Sequence, residues 1–244
     1  MRRFFAPDIR ENSLEALIKG DEFVHLKKVL RLKKGEKIAL FNGLGLELLA
    51  TIESVGRASA SVTIDGMLEG RAESPLEITL VQGFIKGDKP ELVIQKATEL
   101  GVKKIVYYPA GRSVPAPGEP GLKNRLKRWD RVAVEAAKQC GRAFVPEISS
   151  SKSLKDAMGG ASQGFRIVLF EEGGGPLEEA LKKAPPKIDK IILLVGPEGG
   201  FSSEEIILAE SGGFIPVGLG PRVLRAETAA IAAVSIVQYV LGDV

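Results

Sequence analysis

The sequence predicts an α/β protein in two parts, a small β-rich unit over residues 1–72 and a larger layered domain over residues 73–244. Before residue 66, short runs rich in aliphatic and β-branched residues follow one another, separated by turn residues. From Leu76 onward such runs alternate with segments of helical pattern, which is typical of helices packed on a mostly parallel sheet. The polar segment 69–75, with its glycine and proline, separates the two patterns and predicts the boundary.

The composition is that of an ordinary globular protein. Of 244 residues, 44% are hydrophobic and 27% are charged. There is no uncharged apolar run of about 18 residues, the length needed to cross a bilayer. The first residues, MRRFFAPDIRENS, lack the long apolar stretch of a secretory signal. We therefore expect no membrane contact and a cytoplasmic location.

The cysteine and histidine counts exclude several kinds of site. Cys140 is the single cysteine, so no internal disulfide is possible, and His25 is the single histidine. A zinc site of several cysteines and histidines is excluded, and we expect no metal. His25 is predicted to pack or to cap a helix rather than to catalyse. Any chemistry must come from carboxylates, arginines, backbone groups or a bound cofactor.

The formal net charge of +3 is small, but the basic residues are clustered. Residues 27–37 carry six basic side chains and one acidic one, and residues 123–142 carry seven basic and two acidic ones. Such clusters are typical of phosphate binding, although a single one more often marks a solvated face. Two separate clusters favour a nucleic-acid partner.

In the first part, the pattern predicts one short helix and three strands. The helix covers residues 22–30, with Asp21 as its cap. The strands cover residues 37–41, 46–53 and 58–65, and Asn42-Gly43 forms the turn between the first two.

In the second part, strands and helices are predicted in alternation. Asp88 and Glu91 resemble a capping box at the start of a helix that ends before Gly101. The predicted strands cover residues 78–84, 104–108, 165–170 and 191–195, and a basic helix covers 122–140. The last helix, residues 228–240, is apolar nearly all round and is expected to be buried on several sides.

Three apolar strands end in glycine-rich or charged residues, at 169–175, 194–200 and 217–222. In an open parallel sheet the carboxyl ends of the strands line the ligand crevice, and glycine lets the backbone approach a ligand closely. After the middle one, Ser202 and Glu205 predict a capping box, so that a helix begins beside the crevice. Neither a Walker A pattern nor a GxGxxG between strand and helix occurs, which disfavours a nucleoside triphosphatase or an ordinary dinucleotide dehydrogenase.

Two long motifs carry a resemblance to a known family. "LLVGPEGGFSSEEI" (193–206) and "LGPRVLRAETAAIAAV" (219–234) resemble bacterial small-subunit ribosomal RNA methyltransferases, which methylate N3 of a uridine in 16S rRNA and belong to the knotted SPOUT superfamily. Further matching segments are "HLKKVLRLKKGEKIALFNG" (25–43), "IQKATELGV" (94–102), "GRSV" (111–114) and "EAAKQCGRAFVPEI" (135–148). The family often has an acidic residue where Gly111 stands, so any role of an acid there is either lost in this chain or replaced by another residue.

The resemblance implies a PUA-like RNA-binding β-barrel over residues 1–72 and a SPOUT domain over residues 73–244 whose chain end threads a trefoil knot. It also implies S-adenosylmethionine as the cofactor, held mostly by the backbone of three loops. These loops fall on the three strand ends chosen above. The cofactor-binding residues so predicted are Leu169, Phe170, Glu171, Leu194, Gly196, Glu198, Gly199, Gly200, Leu219, Gly220, Leu224 and Thr228.

Methylation of uridine N3 requires loss of the N3 proton, and negative charge then spreads onto O2 and O4. Arginine donors where that charge develops stabilise the transition state. Arg225 is the first candidate for this role, and Arg222 and Arg112 are the next candidates. Glu227 is expected to orient Arg225, to accept a proton, or only to pair with an arginine at the start of the last helix. The sequence alone does not identify the general base that accepts the N3 proton.

The resemblance further implies a homodimer whose active sites are completed across the interface, and the small ribosomal subunit as substrate. The RNA-binding residues so predicted are Arg2, Arg3, Lys27, Lys28 and Arg31. Two alternatives stay open, a knotted enzyme that methylates a ribose 2′-hydroxyl and a non-catalytic RNA-binding factor of ribosome assembly.

Overall fold

The computed structural model describes residues 1–68, 73–113, 118–159, 164–185 and 187–244. Its contacts divide the chain into two compact units. The first consists of residues 1–73 and 134–145, and the second of residues 74–133 and 146–244. The domain boundary at residues 72 and 73 stays a prediction, because residues 69–72 lie outside the described residues.

The first unit contains a five-stranded mixed sheet. Its strands are β1 (Arg2–Phe5), β2 (Glu15–Lys19), β3 (Lys37–Phe41), β4 (Glu47–Val55) and β5 (Ser59–Met67). They are ordered β1-β3-β4-β5-β2, and only β1 and β3 run parallel. One face of the sheet covers an apolar core that includes Phe4, Leu40 and Ile52. The three predicted strands are confirmed within two residues at each end, whereas β1 and β2 were not predicted.

The predicted helix at residues 22–30 is present but begins earlier and is not capped by Asp21. Helix α1 (Gly20–Val24) starts directly after β2 and continues as a π-helical turn, His25–Val29. Gly20 has φ of +59°, which lets the chain turn sharply from the strand into the helix. The N-cap is Lys19, without a side-chain hydrogen bond, and Asp21 lies inside the first turn. The prediction of Asp21 as the cap was therefore wrong.

The second unit is built on a seven-stranded parallel sheet, which confirms the predicted α/β class. Its strands are β6 (Glu77–Gly83), β7 (Lys104–Tyr108), β8 (Glu147–Ser150), β9 (Phe165–Leu169), β10 (Gly175–Pro176), β11 (Lys190–Val195) and β12 (Ile215–Gly218). They are ordered β10-β12-β9-β11-β6-β7-β8. Residues 191–195 of β11 are buried on both faces, as a central parallel strand requires.

Helices follow the strands of this sheet. They are α2 (Lys89–Glu99), α3 (Glu119–Cys140), α4 (Leu154–Gly159), α5 (Leu177–Lys182), α6 (Ser203–Ser211) and α7 (Ala226–Leu241). The last turns of α3, from Val134, belong to the first unit. Within the described ranges, no helix is long and apolar enough to cross a membrane.

The two predicted capping boxes have different outcomes. At α6, the Ser202 hydroxyl accepts a hydrogen bond from the backbone N–H of Glu205. The Glu205 carboxylate accepts one from the backbone N–H of Ser202, so this capping box is present as predicted. At α2, Asp88 is the N-cap residue but its side chain makes no capping bond. Arg128 of α3 binds both carboxylates there, at 3.3 Å from Asp88 and 2.6 Å from Glu91. A charged partner from a distant segment replaces the local bonds, so this prediction was wrong.

Helix α7 packs one face on the rest of the second unit and exposes the other face. Val234, Val237 and Gln238 are buried, whereas 77% of Tyr239 is exposed. Gln238 accepts a hydrogen bond from Ser74 Oγ at 2.9 Å and donates one to the carbonyl of Leu100 at 2.7 Å. These bonds tie the helix to the start of the unit and to the end of α2. The trefoil knot stays a prediction.

Candidate functional site

Three loops at one edge of the parallel sheet line a cavity of about 390 Å³. Strands β12, β9 and β11 are adjacent and parallel, so their carboxyl ends lie together. The cavity is lined by residues 169–171 after β9, by 195–198, 200 and 201 after β11, by 217–220 and 222–226 after β12, and by Lys89 and Ala229. The three glycine-rich strand ends chosen from the sequence thus converge on one site.

Nine of the twelve predicted cofactor-binding residues line this cavity. They are Leu169, Phe170, Glu171, Gly196, Glu198, Gly200, Leu219, Gly220 and Leu224. The other three lie elsewhere. Leu194 is fully buried in the core, Gly199 packs against the backbone of Arg112, and Thr228 is exposed in the first turn of α7. Whether any of the twelve binds a cofactor stays a prediction.

The loop after β11 is held in place from both sides. Gln82 donates from Nε2 to the carbonyl of Gly196 at 2.9 Å. The backbone N–H of Gly200 closes a turn to the carbonyl of Pro197 at 3.0 Å, and Gly200 has φ of +69°. A Cβ on Gly199 would lie 2.8 Å from the carbonyl oxygen of Arg112, so only glycine fits there without movement. The loop is therefore a preformed wall of the cavity.

Two of the three candidate arginines reach the cavity. Arg222 and Arg225 line it, both side chains are exposed, and among the described residues neither forms an ion pair. Arg225 is also the N-cap residue of α7. Arg112 is placed behind the wall, with Nη1 at 3.5 Å from the carbonyl oxygen of Gly199, and does not line the cavity. As far as the described residues show, Arg222 and Arg225 are thus cavity cations without an ion-pair partner.

Glu227 is placed differently from what the sequence suggested. It is 8% exposed, in the first turn of α7, and its Oε2 lies 3.4 Å from Lys89 Nζ. No pair between Glu227 and an arginine is found in the described part of the chain. The expectation of an Arg–Glu pair at the start of the last helix was therefore wrong. Its partner is a lysine from a helix more than a hundred residues earlier.

Lys89 is the cavity residue that sequence reasoning missed. It is the first residue of α2, and its Nζ also lies 3.1 Å from Oε1 of Glu198. The hydrogen bond with Glu198, and the charges of both carboxylates, raise the pKa of Lys89 despite some burial. Burial alone would raise the pKa of Glu198, but hydrogen bonds from the Lys86 N–H and from Lys89 outweigh it and lower that pKa. A lysine at a helix N-terminus, where the dipole disfavours a cation, was the signal in the sequence.

The predicted RNA-binding residues lie in the first unit, and two of them, Arg3 and Lys27, form hydrogen bonds within it. Arg3 binds Glu47 at 2.7 Å and donates to the carbonyls of Ala137 and Arg142, each at 2.8 Å. Lys27 donates a hydrogen bond to the carbonyl of Gly56, and Arg2, Lys28 and Arg31 are exposed. In the described ranges, no group of three or more His, Cys, Asp or Glu side chains could hold a metal ion.

Comparisons with known proteins give the family. A family model described as an RNA methyltransferase domain matches residues 72–238, and one described as an RNA methyltransferase PUA domain matches residues 18–65. The ribosomal RNA small subunit methyltransferase E of Bacillus subtilis (strain 168) is 32% identical over 249 residues, covering 98% of this chain and 96% of that protein. The chain belongs to this family.

Solved structures agree with that assignment. A ribosomal RNA small subunit methyltransferase E from Neisseria gonorrhoeae, bound to S-adenosylmethionine, is 30% identical with a TM-score of 0.88, covering 100% of this chain and 99% of that one. A Legionella pneumophila protein in complex with the same cofactor is 35% identical with a TM-score of 0.90, covering 99% of this chain and 98% of that one. Both the α/β domain and the PUA domain of the predicted fold are thereby confirmed.

Proposed function

We propose that the protein is an S-adenosylmethionine-dependent methyltransferase that methylates N3 of a uridine in the 16S rRNA of the small ribosomal subunit. The observation that carries this proposal is the convergence of three strand-end loops on one cavity that also holds two arginines without an ion pair among the described residues. Family membership supports the reaction type, and the bound ligand of the Neisseria gonorrhoeae relative supports the cofactor.

The residues of the cavity fit the proposed cofactor. Its volume is within the range of small-molecule sites. Leu169, Leu219 and Leu224 offer apolar contact for a purine ring, and the glycines of the loops let a ligand approach the backbone closely. Glu198 offers negative charge to a cationic ligand. When bound, S-adenosylmethionine supplies an electrophilic methyl group on a positively charged sulfur.

The protein's own contribution is charge stabilisation and positioning. Uracil that loses its N3 proton carries negative charge on O2 and O4, and guanidinium groups fixed beside those oxygens lower the energy of that state. Arg225 is the first candidate, because it lines the cavity at the start of α7 and is free of ion pairs within the described residues. Arg222 is the second. We assign Arg112 to supporting the loop around Gly199 rather than to contact with the base.

The first unit supports RNA binding by its exposed cations. Arg2, Lys28 and Arg31 are exposed on it. Arg2 also lines a second cavity, of about 360 Å³, together with His25 and Lys138. Phosphate oxygens bind such cations with an affinity that falls as salt rises. We assign Arg3 to structure, and propose that the other cations contact the RNA backbone.

Two further points belong to this proposal. Ile236, Tyr239 and Val240 are 37%, 77% and 42% exposed on α7, an apolar face that supports the expected homodimer. Sedimentation of the purified protein tests the dimer directly.

A cytoplasmic location follows from a substrate on the small ribosomal subunit.

The decisive experiment is methyl transfer from labelled S-adenosylmethionine to small subunits that lack the modification, followed by analysis of the product nucleoside. We expect label on N3 of uridine. Arg225→Ala is expected to lower the rate by about 100-fold at saturating subunits, the effect of losing one charge-stabilising donor. Lys155→Ala, which removes an exposed cation of α4 outside the cavity, is the control. Label on a ribose, or no transfer by a protein that binds the cofactor, would refute the proposal.

A further inference from the structure

We propose that Lys89, Glu198 and Glu227, here the Lys89 cluster, make the cavity prefer the cationic methyl donor over its neutral demethylated product. The inference rests on the proposed function, since it concerns the same cavity. It assigns a specificity-determining role to three side chains that the sequence motifs did not connect.

The Lys89 cluster joins three elements that are far apart in the chain. Lys89 begins α2, Glu198 lies in the loop after β11, and Glu227 lies in the first turn of α7. Lys89 Nζ is 3.1 Å from one carboxylate and 3.4 Å from the other, and Lys89 and Glu198 both line the cavity. Lys89 and Glu198 are thus part of the cavity wall, and Glu227 pairs with Lys89 without lining the cavity itself.

The cluster carries one net negative charge at neutral pH, because a single lysine faces two carboxylates. The contacts with Glu198 and Glu227 raise the pKa of Lys89, so the lysine stays protonated. The pKa of Glu198 is lowered, so its carboxylate stays ionised. Glu227 Oε2 is buried and has no hydrogen bond among the described residues, only the longer ion pair with Lys89. One carboxylate charge of the cluster is therefore not balanced by Lys89, and it lies next to a lysine of the cavity wall.

Stability of the fold does not account for this arrangement. Lys89 and Glu198 side chains are 30% and 27% exposed, and ion pairs of that exposure contribute little to folding. A cation on the first residue of α2 opposes the helix dipole, and burying Glu227 costs desolvation energy. A charge arrangement that is poor for stability, placed at a cavity wall, points to a ligand with positive charge.

The methyl donor and its product differ by one methyl group and one positive charge, which resides on the sulfur of the donor. The net negative charge of the Lys89 cluster attracts the donor more strongly than the product, by an amount that falls with distance and salt. The other charged residues of the lining, Glu171, Arg222 and Arg225, come from the first and third loops, and the two arginines are assigned above to the uracil. Preference for the donor would also help the product to leave after transfer.

The test is calorimetric titration of the free protein with S-adenosylmethionine and with S-adenosylhomocysteine, which needs neither RNA nor turnover. Glu198→Gln keeps an oxygen that accepts from the Lys86 N–H but removes the charge. We expect about tenfold weaker binding of the donor and less than about twofold weaker binding of the product. Glu227→Gln should act in the same direction, and the wild-type preference should shrink as salt rises.

Glu210→Gln is the matched control, because it removes one exposed carboxylate from α6 of the same unit, outside the cavity. It should leave the ratio of the two affinities unchanged. Equal weakening of both ligands in Glu198→Gln and Glu227→Gln would mean that the cluster only holds the loops, and would overturn the inference. Failure of the wild type to bind either ligand would instead refute the proposed cofactor, so the two failures are distinguishable.

Discussion

The side chain of Gln82 donates a hydrogen bond from Nε2 to the carbonyl oxygen of Gly196, 2.9 Å away. Gln82 lies near the end of β6 and is fully buried, and Gly196 is the first residue after the neighbouring strand β11. At Gly83, a Cβ would lie 2.8 Å from the nitrogen of Pro197. The end of β6 therefore fixes the loop that forms one wall of the cavity.

We predict that Gln82→Leu weakens cofactor binding as well as the fold. The change leaves a buried carbonyl without its donor, which costs about 1–3 kcal/mol in the free energy of unfolding. Because that carbonyl belongs to the cavity wall, the affinity for S-adenosylmethionine should fall about tenfold or more. Urea denaturation and calorimetric titration measure the two effects separately.

Two other glutamines serve as controls. Gln238→Leu breaks bonds to Ser74 and Leu100, which lie outside the cavity lining, and should lower stability with little effect on affinity. Gln95→Leu, on the exposed face of α2, should change neither quantity by much. Equal losses of affinity in Gln82→Leu and Gln238→Leu would show that general loosening, not the Gly196 contact, is responsible.

The site was largely predictable because its determinants are local. Strands such as β11 are marked by continuous apolar runs, and the ends of β9, β11 and β12 by glycine, proline and charge. The capping box of Ser202 and Glu205 is also local, since both residues lie within one turn of α6. Parallel strands place their carboxyl ends at one edge of the sheet, and the adjacency of β12, β9 and β11 brings these three ends together.

What escaped prediction depends on contacts between distant segments. Asp88 and Glu91 carry a capping-box pattern, but Arg128 of α3 binds both. Lys89 has an unfavourable position at the start of α2, but its partners Glu198 and Glu227 come from distant segments that no local pattern connects to it. Strand β1 is four residues long and is fixed by parallel pairing with β3, which no local pattern encodes.

Gly199→Ala tests how the wall is supported by the segment around Arg112. The new methyl group would lie 2.8 Å from the carbonyl oxygen and from Cβ of Arg112, and so must displace one of the two chains. We expect the affinity for S-adenosylmethionine to fall about tenfold, with a smaller change in unfolding free energy, measured by titration and by urea denaturation.

The control for this change is Gly159→Ala, at the end of α4, where a Cβ meets nothing within 4 Å and φ is not positive. It should leave both affinity and stability nearly unaltered. If Gly199→Ala binds the cofactor as the wild type does, the loop has room to shift and the close approach has no role in binding.

Arg3 and Arg2 are adjacent in the sequence but differ in their predicted effects. Arg3 and Glu47 side chains are only 13% and 9% exposed, and the guanidinium also binds the carbonyls of Ala137 and Arg142. Arg3→Ala leaves a buried carboxylate unpaired, so we expect a loss of about 3 kcal/mol in the free energy of unfolding. Urea denaturation, monitored through a signal that reports on the first unit, measures this loss of unfolding free energy.

Arg2→Ala should leave that free energy nearly unchanged, because the side chain is exposed. If Arg2 contacts a phosphate, binding to small-subunit RNA should weaken, and the slope of log affinity against log salt should become shallower by roughly 0.7–0.9. Filter binding over a range of salt concentrations gives both numbers. An unchanged slope in Arg2→Ala would remove Arg2 from the RNA contact, and a stable Arg3→Ala protein with weak RNA binding would reverse the roles assigned to the two arginines.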